Sequence, residues 1–463
     1  MRIMELLTRR QFLGRGVAAA AALGAASLGC SPKRESASDS EPGQVSCRRD
    51  PKSGQEVSVL GYGCMRWPMT KDAQGKDIVD QETVNEMVDY AISHGVNYFD
   101  TAPIYLQGLS EHATALALSR YPRESYFLAT KLSNFNPNSY TLEFASAMLS
   151  DSLKNLMTDY IDYYLLHSVN SDFENFRTRF VDNGILDYLL EQRSKGVLHH
   201  LGFSFHSDCT VLRQLMDFHE EYKTRTGEPL FDFVMMQLNW YDWHHSGNSN
   251  ADAADLYAIL EAHGLPVMVM EPLLGGRLSD VPDHIADQMK EKEPGRSLAS
   301  WAFRFAASHK NVLCVLSGMS RMEHLRDNLR TFSPLVELDE QHKDFLERMA
   351  ELMSSYPLIP CNDCKYCMPC PYGLDIPAIF THYNKCVNEG YVSASAQDPE
   401  YRKNRRAYLV SYDRAVPRQS QADRCISCAR CVTDSHCPQH IAIPREMMRI
   451  SKYIEELRRS ISM

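Results

Sequence analysis

The chain of 463 residues has no apolar run long enough to cross a membrane. The nearest candidate, the alanine-rich stretch from Val17 to Leu28, is too short and too mild to span a bilayer. There is no G-x-G-x-x-G loop, so no Rossmann-type fingerprint points to a bound dinucleotide. There is no basic stripe either, and the formal charge is −10 at pH 7. That balance leaves no electrostatic footprint for nucleic acid. What the chain does have is 14 cysteines in an otherwise globular composition that is 44% hydrophobic.

The N-terminus reads as an address rather than as fold. Thr8-Arg9-Arg10-Gln11-Phe12-Leu13 is a twin-arginine pattern, and the mild apolar run follows it. Ser27-Leu28-Gly29-Cys30 is similar to a lipoprotein cleavage box, although Ser27 stands where a larger aliphatic residue is expected. The expectation is export by the twin-arginine route to the periplasm or cell envelope, with membrane attachment only through a lipid anchor at Cys30. Residues 31–46 read as a polar linker. The remaining length suits a barrel of about 250 to 300 residues and a smaller unit, with boundaries at 47–340 and 341–463.

The barrel comes from rhythm. Short apolar runs recur at Val59–Tyr62, Val96–Asp100, Tyr126–Lys131, Tyr160–His167, Leu201–Ser204, Val234–Gln237, Val267–Met270 and Val312–Leu316. Helical patterns lie between them. From Asp80 to Gly95, the residues Val84, Met87, Val88, Ala91 and Ile92 form one apolar stripe, with Asp80 placed to cap and Gly95 to stop. Leu142, Ala145, Leu149, Leu153 and Leu156 form another. Eight strands alternating with helices predict an α/β fold, a (β/α)8 TIM barrel with its active site at the C-terminal strand ends. Asp100, Lys131 and His167 each end a strand, so they share one rim, with Tyr105 on the loop above.

Those residues lie in Phe99-Asp100-Thr101-Ala102-Pro103-Ile104-Tyr105, Ala129-Thr130-Lys131 and the run from Asp151 to His167. In these motifs the sequence resembles the aldo-keto reductases over roughly residues 50 to 340, and more narrowly the branch with a C-terminal iron–sulfur domain. The resemblance implies an Asp, Tyr, Lys, His tetrad. Its chemistry is readable independently. Reducing a carbonyl by hydride needs a proton for the developing alkoxide, and a phenol near pKa 10 is a poor catalyst at neutrality. Lys131 is expected to lower the pKa of Tyr105, Asp100 to hold Lys131 charged, and His167 to orient the carbonyl oxygen.

The resemblance also implies cofactor contacts. Ser317, Gly318, Ser320, Arg321 and Asn328 correspond to a phosphate-holding loop after the eighth strand, Gln237 to a carboxamide contact and Ser204 to the serine after strand five. Two positions depart from the family pattern. Met270 stands where an aromatic commonly stacks on nicotinamide, and His324 where an arginine commonly meets a 2′-phosphate. NAD(P) is the expected nucleotide, with NADP over NAD undecided.

Beyond residue 356 the spacing is denser. Cys361-x2-Cys364-x2-Cys367-x2-Cys370-Pro371 recurs as Cys425-x2-Cys428-x2-Cys431-x5-Cys437-Pro438. Runs of this kind ending in Cys-Pro resemble those of [4Fe–4S] ferredoxins, in which the fourth cysteine of each run ligates the other cluster. By that rule Cys361, Cys364, Cys367 and Cys437 hold one cluster and Cys425, Cys428, Cys431 and Cys370 the other. Disulfides and zinc remain as alternatives. Helix-compatible patterns from Ile376 to Tyr383 and Arg445 to Arg458 point to an α-helical ferredoxin-type domain. Cys314 and Cys386 are expected as buried thiols.

Hydride chemistry moves two electrons, whereas such clusters ordinarily pass one, so a flavin gate or an envelope redox partner is a further expectation. The sequence therefore predicts an exported iron–sulfur oxidoreductase acting on a small carbonyl or alcohol. The alternative is an electron-transfer or interaction protein whose barrel does no catalysis.

Overall fold

In the computed structural model the described residues are 41–246, 251–354, 358–393, 399–433, 437–439 and 441–459. The twin-arginine pattern, Cys30 and residues 31–40 of the linker lie outside them. Among the described residues, no helix is long and apolar enough to cross a membrane.

Eight parallel strands close into a barrel. In chain order they are β1 (Leu60–Gly63), β2 (Tyr98–Asp100), β3 (Phe127–Leu132), β4 (Ile161–Val169), β5 (Leu198–Phe205), β6 (Phe233–Gln237), β7 (Val267–Met270) and β8 (Val312–Ser317). Each pairs with its sequence neighbours, and β8 returns to β1. The helix after the first strand runs Gln81–Ser93; Asp80 caps it by accepting from the Thr83 backbone N–H, and Gly95 leaves it at φ +88°. The helix Leu142–Asn155 starts at the Thr141 cap.

Strand alternation sorts the side chains. Phe99, Leu128, Tyr164, Leu166, Phe203, Val234 and Val269 pack outward into the core shared with the helices. Tyr98, Phe127, Ala129, Tyr163, Leu165, Phe233, Met235, Met268, Cys314 and Leu316 form a second cluster, which fills the barrel interior. Two residues further along each strand, the inward positions become Asp100, Lys131, His167, Gln237 and Met270. The period of two thus carries an apolar plug below and a polar rim above.

The other end of the barrel is closed by an antiparallel hairpin, Cys47–Arg49 against Glu56–Ser58. Within its turn Asp50 is 3% exposed, accepts the Tyr163 hydroxyl at 3.0 Å and sits 3.4 Å from His200 Nε2. Burial alone would raise this carboxyl, but the His200 and Tyr163 hydrogen bonds and the Ser53 amide outweigh it and hold the group far below the usual carboxylate range.

Past the barrel, the helix Glu340–Ser354 buries Phe345, Leu346, Met349, Ala350 and Met353 in the outer barrel core. A domain boundary at 341 therefore cuts through an element of the barrel. A separate core begins at Ile359 and gathers Ile379, Phe380, Tyr383, Tyr408, Tyr412, Met447, Ile450 and Ile454. These come from three helices, Ile376–Asn388, Tyr401–Ala415 and Ile443–Arg459. Cys314 and Cys386 are buried thiols. The barrel and this helical region belong to one compact unit, residues 41–463.

Replacing Asp50 with Asn keeps the volume but removes the charge that Tyr163 and His200 meet. The expected cost is about 1–3 kcal/mol at pH 7, read as a lower urea midpoint. Because the folded pKa is depressed, this stabilisation is present above the unfolded carboxylate pKa and is lost as pH falls through the folded value. The difference between wild type and variant should therefore shrink in acid.

Candidate active site at the barrel mouth

Asp100 ends β2 and Lys131 lies one residue from the end of β3. Their side chains are 4% and 1% exposed, and Lys131 Nζ donates to Asp100 Oδ1 at 2.6 Å. The same ammonium donates to the Thr101 carbonyl at 2.7 Å. Asp100 Oδ2 is buried with no hydrogen-bond partner among the described residues, and burial outweighs Lys131 to push the carboxyl pKa upward.

Tyr105 opens a tight turn in which Leu106 and Gln107 adopt left-handed backbone, at φ 52° and 57°. That turn folds the phenol back over the strand ends. Lys131 Nζ lies 5.0 Å from the Tyr105 ring centroid, and the Tyr105 and His167 rings meet edge-on at 5.9 Å. The four tetrad residues are therefore together on one rim. The expected lowering of the Tyr105 pKa does not follow. Lys131 spends its short hydrogen bonds on Asp100 and Thr101, and burial, the Tyr366 phenol and Asp100 hold Tyr105 well above the ordinary value.

His167 sits at an irregularity in β4, where the register shifts between Leu166 and Val169 and Ser168 takes φ +57°. Such a bulge re-aims a side chain. Three groups hold it. Ser204 Oγ accepts from the Ser168 amide at 2.7 Å, and buried Arg179 donates to the His167 and Ser168 carbonyls at 2.6 and 2.8 Å. Ser133 Oγ lies 2.6 Å from Nδ1. Burial, with Lys131 and Arg179 nearby, pushes the imidazole well below 6.5, so it is neutral at physiological pH. Ser204 thus braces the bulge.

The other cofactor candidates separate into two groups. Ser317 and Asn328 are buried and bonded to each other, Nδ2 to Oγ at 2.9 Å, which pins the strand end to the helix Met322–Phe332. Gly318 and Arg321 are exposed and Ser320 partly so, immediately before that helix begins. A helix N-terminus there offers free amides to a phosphate. Gln237 is hydrogen-bonded to Asp242, a carboxylate also held by Asn239 at 2.6 Å. Met270 is half-buried on the same rim. In the loop after β6, Trp243 packs against His309 at 4.3 Å, and His245 pairs with Glu347 at 2.7 Å.

The first cysteine run, and Gln439 beyond the second, face this mouth. Arg66, whose stem covers Gly318, donates to the Asn362 carbonyl at 2.7 Å and to Asp363 Oδ2 at 3.2 Å. Gly275 has φ +68°, and a Cβ there would lie 2.3 Å from Asn362 Cα, so only glycine admits the loop. Glu271 is raised to about 7, mainly by burial, against the lowering effects of Arg66, the Gly275 amide and Asn362. Tyr366, between Cys364 and Cys367, reaches His167 Nε2 at 3.2 Å and lies beside the Tyr105 phenol. Gln439 donates to Gln237 Oε1 at 2.7 Å. Arg66, Glu271, Tyr366 and Gln439 carried no sequence signal of their own. Their only advertisement was that Tyr366 and Gln439 fall inside or beside the cysteine runs.

The eight cysteines fall into two sets. Cys361, Cys364, Cys367 and Cys437 sense one another electrostatically, as do Cys370, Cys425, Cys428 and Cys431. The second set lines one hollow together with Leu374, Ile376, Ile443 and Met447. Asp363 and Lys365 in the first loop, and Ser427 and Ala429 at the same offsets in the second, all have φ between 54° and 65°. Repeated left-handed residues curl the chain so that successive amides point inward, the geometry of an anion-binding nest. Among the described residues, no group of three or more His, Cys, Asp or Glu side chains is arranged to hold a single metal ion.

Replacing Lys131 with Met leaves Asp100 buried without its cation. The expected destabilisation is about 3–5 kcal/mol, and adding Asp100→Asn should recover part of it in a double-mutant cycle of denaturation midpoints.

Residues 59–350 match the aldo/keto reductase family. The uncharacterized oxidoreductase YqkF of Bacillus subtilis is 24% identical over 309 residues, which is 60% of this chain and 88% of that protein. The L-galactose dehydrogenase of Arabidopsis thaliana is 25% identical over 319 residues, 62% and 88% of the two chains. Among solved structures, an aldo-keto reductase of Bacillus halodurans in its holo form superposes with TM-score 0.51 at 23% identity, over 66% of this chain and 96% of that one. An aldo-keto reductase of Klebsiella pneumoniae in complex with NADPH gives TM-score 0.51 at 19% identity, over 66% and 95%. With its closed parallel barrel and a match over most of its length, this chain is an oxidoreductase of the aldo/keto reductase family.

Proposed function

We propose that this chain interconverts a small carbonyl compound and its alcohol with NAD(P), and that it carries two [4Fe–4S] clusters in a ferredoxin-type C-terminal domain. The observation that carries the catalytic reading is the meeting of Tyr105, His167 and the Lys131–Asp100 pair on one rim. The nucleotide reading is supported by the loop 318–321 at a helix N-terminus, where Gly318 and Arg321 are exposed, and by the NADPH complex of the Klebsiella relative. NAD(P)H supplies a hydride when bound.

The residues divide the remaining work. His167 is neutral, and its Nε2 faces the site, so it directs the substrate oxygen without adding charge. Burial keeps the Tyr105 phenol protonated at rest, which suits a proton donor. As hydride reaches carbon and the C=O π electrons move to oxygen, the Tyr105 O–H bond breaks and its proton completes the alcohol. The phenolate left behind is stabilised by the Lys131 ammonium beneath the ring and is reprotonated from solvent. Asp100 keeps that ammonium charged and fixed. Gln237, held by Asp242, is the group best placed to meet the nicotinamide amide.

The cluster reading is supported by the two thiol sets, whose membership agrees with the crossed ferredoxin rule, and by the matching left-handed loops. The second set, Cys370, Cys425, Cys428 and Cys431, lines one hollow and would hold one such cluster. Clusters supply one-electron chemistry when bound, so a flavin or an envelope redox partner belongs to this proposal. Export by the twin-arginine route, which carries proteins already folded around a cofactor, is its natural companion. A second reading, an electron-transfer protein with a silent barrel, is favoured by Met270 and His324 at two cofactor positions.

Tyr105→Phe separates the two. In anaerobically purified protein, carbonyl reduction should fall at least a hundredfold, with iron and sulfide content and cluster redox unchanged. Unaltered turnover would discard the catalytic reading. Iron analysis that returns no metal, in protein that still reduces carbonyls, would discard the clusters alone.

A further inference from the structure

The two positions that the proposed reaction reserves for ligands are already occupied by the chain itself. A substrate oxygen must lie within hydrogen-bond reach of both the Tyr105 hydroxyl and His167 Nε2. The Tyr366 phenol oxygen lies 3.2 Å from Nε2, beside the Tyr105 phenol. One oxygen position has one occupant.

The amide position shows the same substitution. Gln439 donates to Gln237 Oε1 at 2.7 Å, and the return contact is 3.5 Å. A glutamine side chain is a primary carboxamide, the functional group that nicotinamide itself presents. Tyr366 comes from the first cysteine run and Gln439 from the second, so two separate segments each offer the chemical equivalent of one ligand.

We propose that Tyr366 and Gln439 are specificity-determining residues of the barrel, which hold the substrate-oxygen and carboxamide positions until a ligand displaces them. This rests on the nicotinamide reading given above. A successful ligand pair must supply both a hydroxyl or carbonyl oxygen and a primary amide, and a molecule offering one of them displaces only half of the cap.

The fastening suits displacement. The Arg66–Asp363 pair is 34% exposed on each side, and pairs of that kind hold weakly. Beside it, Gly275 fits the loop closely but makes no polar bond with it. A cap of this sort lowers apparent affinity by the fraction of molecules in which it is open.

The test uses full-length, cluster-loaded protein and NADPH as the probe. Titration by nucleotide fluorescence should show the Tyr366→Ala, Gln439→Ala double variant binding NADPH at least tenfold more tightly than wild type. In wild type, saturating NADPH should raise amide exchange in the segment 358–373 and leave the barrel-bottom segment 198–203 unchanged, a measurement that needs no variant to fold. Equal, tight binding by both proteins overturns the cap and leaves the nicotinamide reading standing. So does NADPH binding to wild type without any rise in exchange at 358–373. Absence of binding to either protein at millimolar NADPH overturns both together.

Discussion

In a closed ring of parallel strands, every second side chain points at the axis, and the axis has a top and a bottom with different solvents. Everything else here depends on that constraint. Along the strands, the inward positions below are filled by Tyr98, Phe127, Tyr163, Phe233 and Met268, which seal the barrel. One further step of two places Asp100, Lys131, His167, Gln237 and Met270 on the rim. An ammonium and a carboxylate this deeply buried persist only as a pair, because each without the other would lose its charge or unfold its surroundings. The Lys131–Asp100 contact is thus both a product of strand register and the charge that makes a phenol beside it useful.

The local deviations from regular structure serve the same site. β4 slips register so that His167 faces the tyrosine. The Ser204 hydroxyl and the buried Arg179 guanidinium hold the slip. The turn after Tyr105 uses two left-handed non-glycine residues. Such conformations are disfavoured unless the surroundings impose them, and here they bring the phenol over the strand ends from a loop.

The C-terminal region has its own apolar core; its first cysteine loop is turned toward the barrel, while Ile426 to Cys428 in the second are exposed. Arg66 reaches from beside the first strand to the backbone of the first cysteine loop, and Gly275 gives that loop room. This docking places Tyr366 and Gln439 among the barrel's own polar groups, so the chemistry of the mouth is shared between the two regions. It also explains why burial raises the Tyr105 pKa: the lid removes the water that would have solvated a phenolate.

The strand count, the rim residues and the two cysteine runs were legible because each is a short-range pattern: a period of two, a period of 3.6, or a spacing of three. The helix cap at Asp80 and the stop at Gly95 were legible for the same reason. What needed the folded chain was every relation between distant segments. The assignment of Glu340–Ser354 to the barrel rests on which core its apolar stripe meets. The roles of Ser204 and Asn328 rest on which partner lies across from them, and the direction of the Tyr105 pKa shift rests on burial, which no local pattern reports. Tyr366 stood in plain view as a spacer between two cysteines. The sequence by itself determined which residues would face the axis, because that is a consequence of backbone periodicity. Only the tertiary structure decided that a spacer from one region would reach a histidine on the rim of the other, because that depends on how two separately formed surfaces meet.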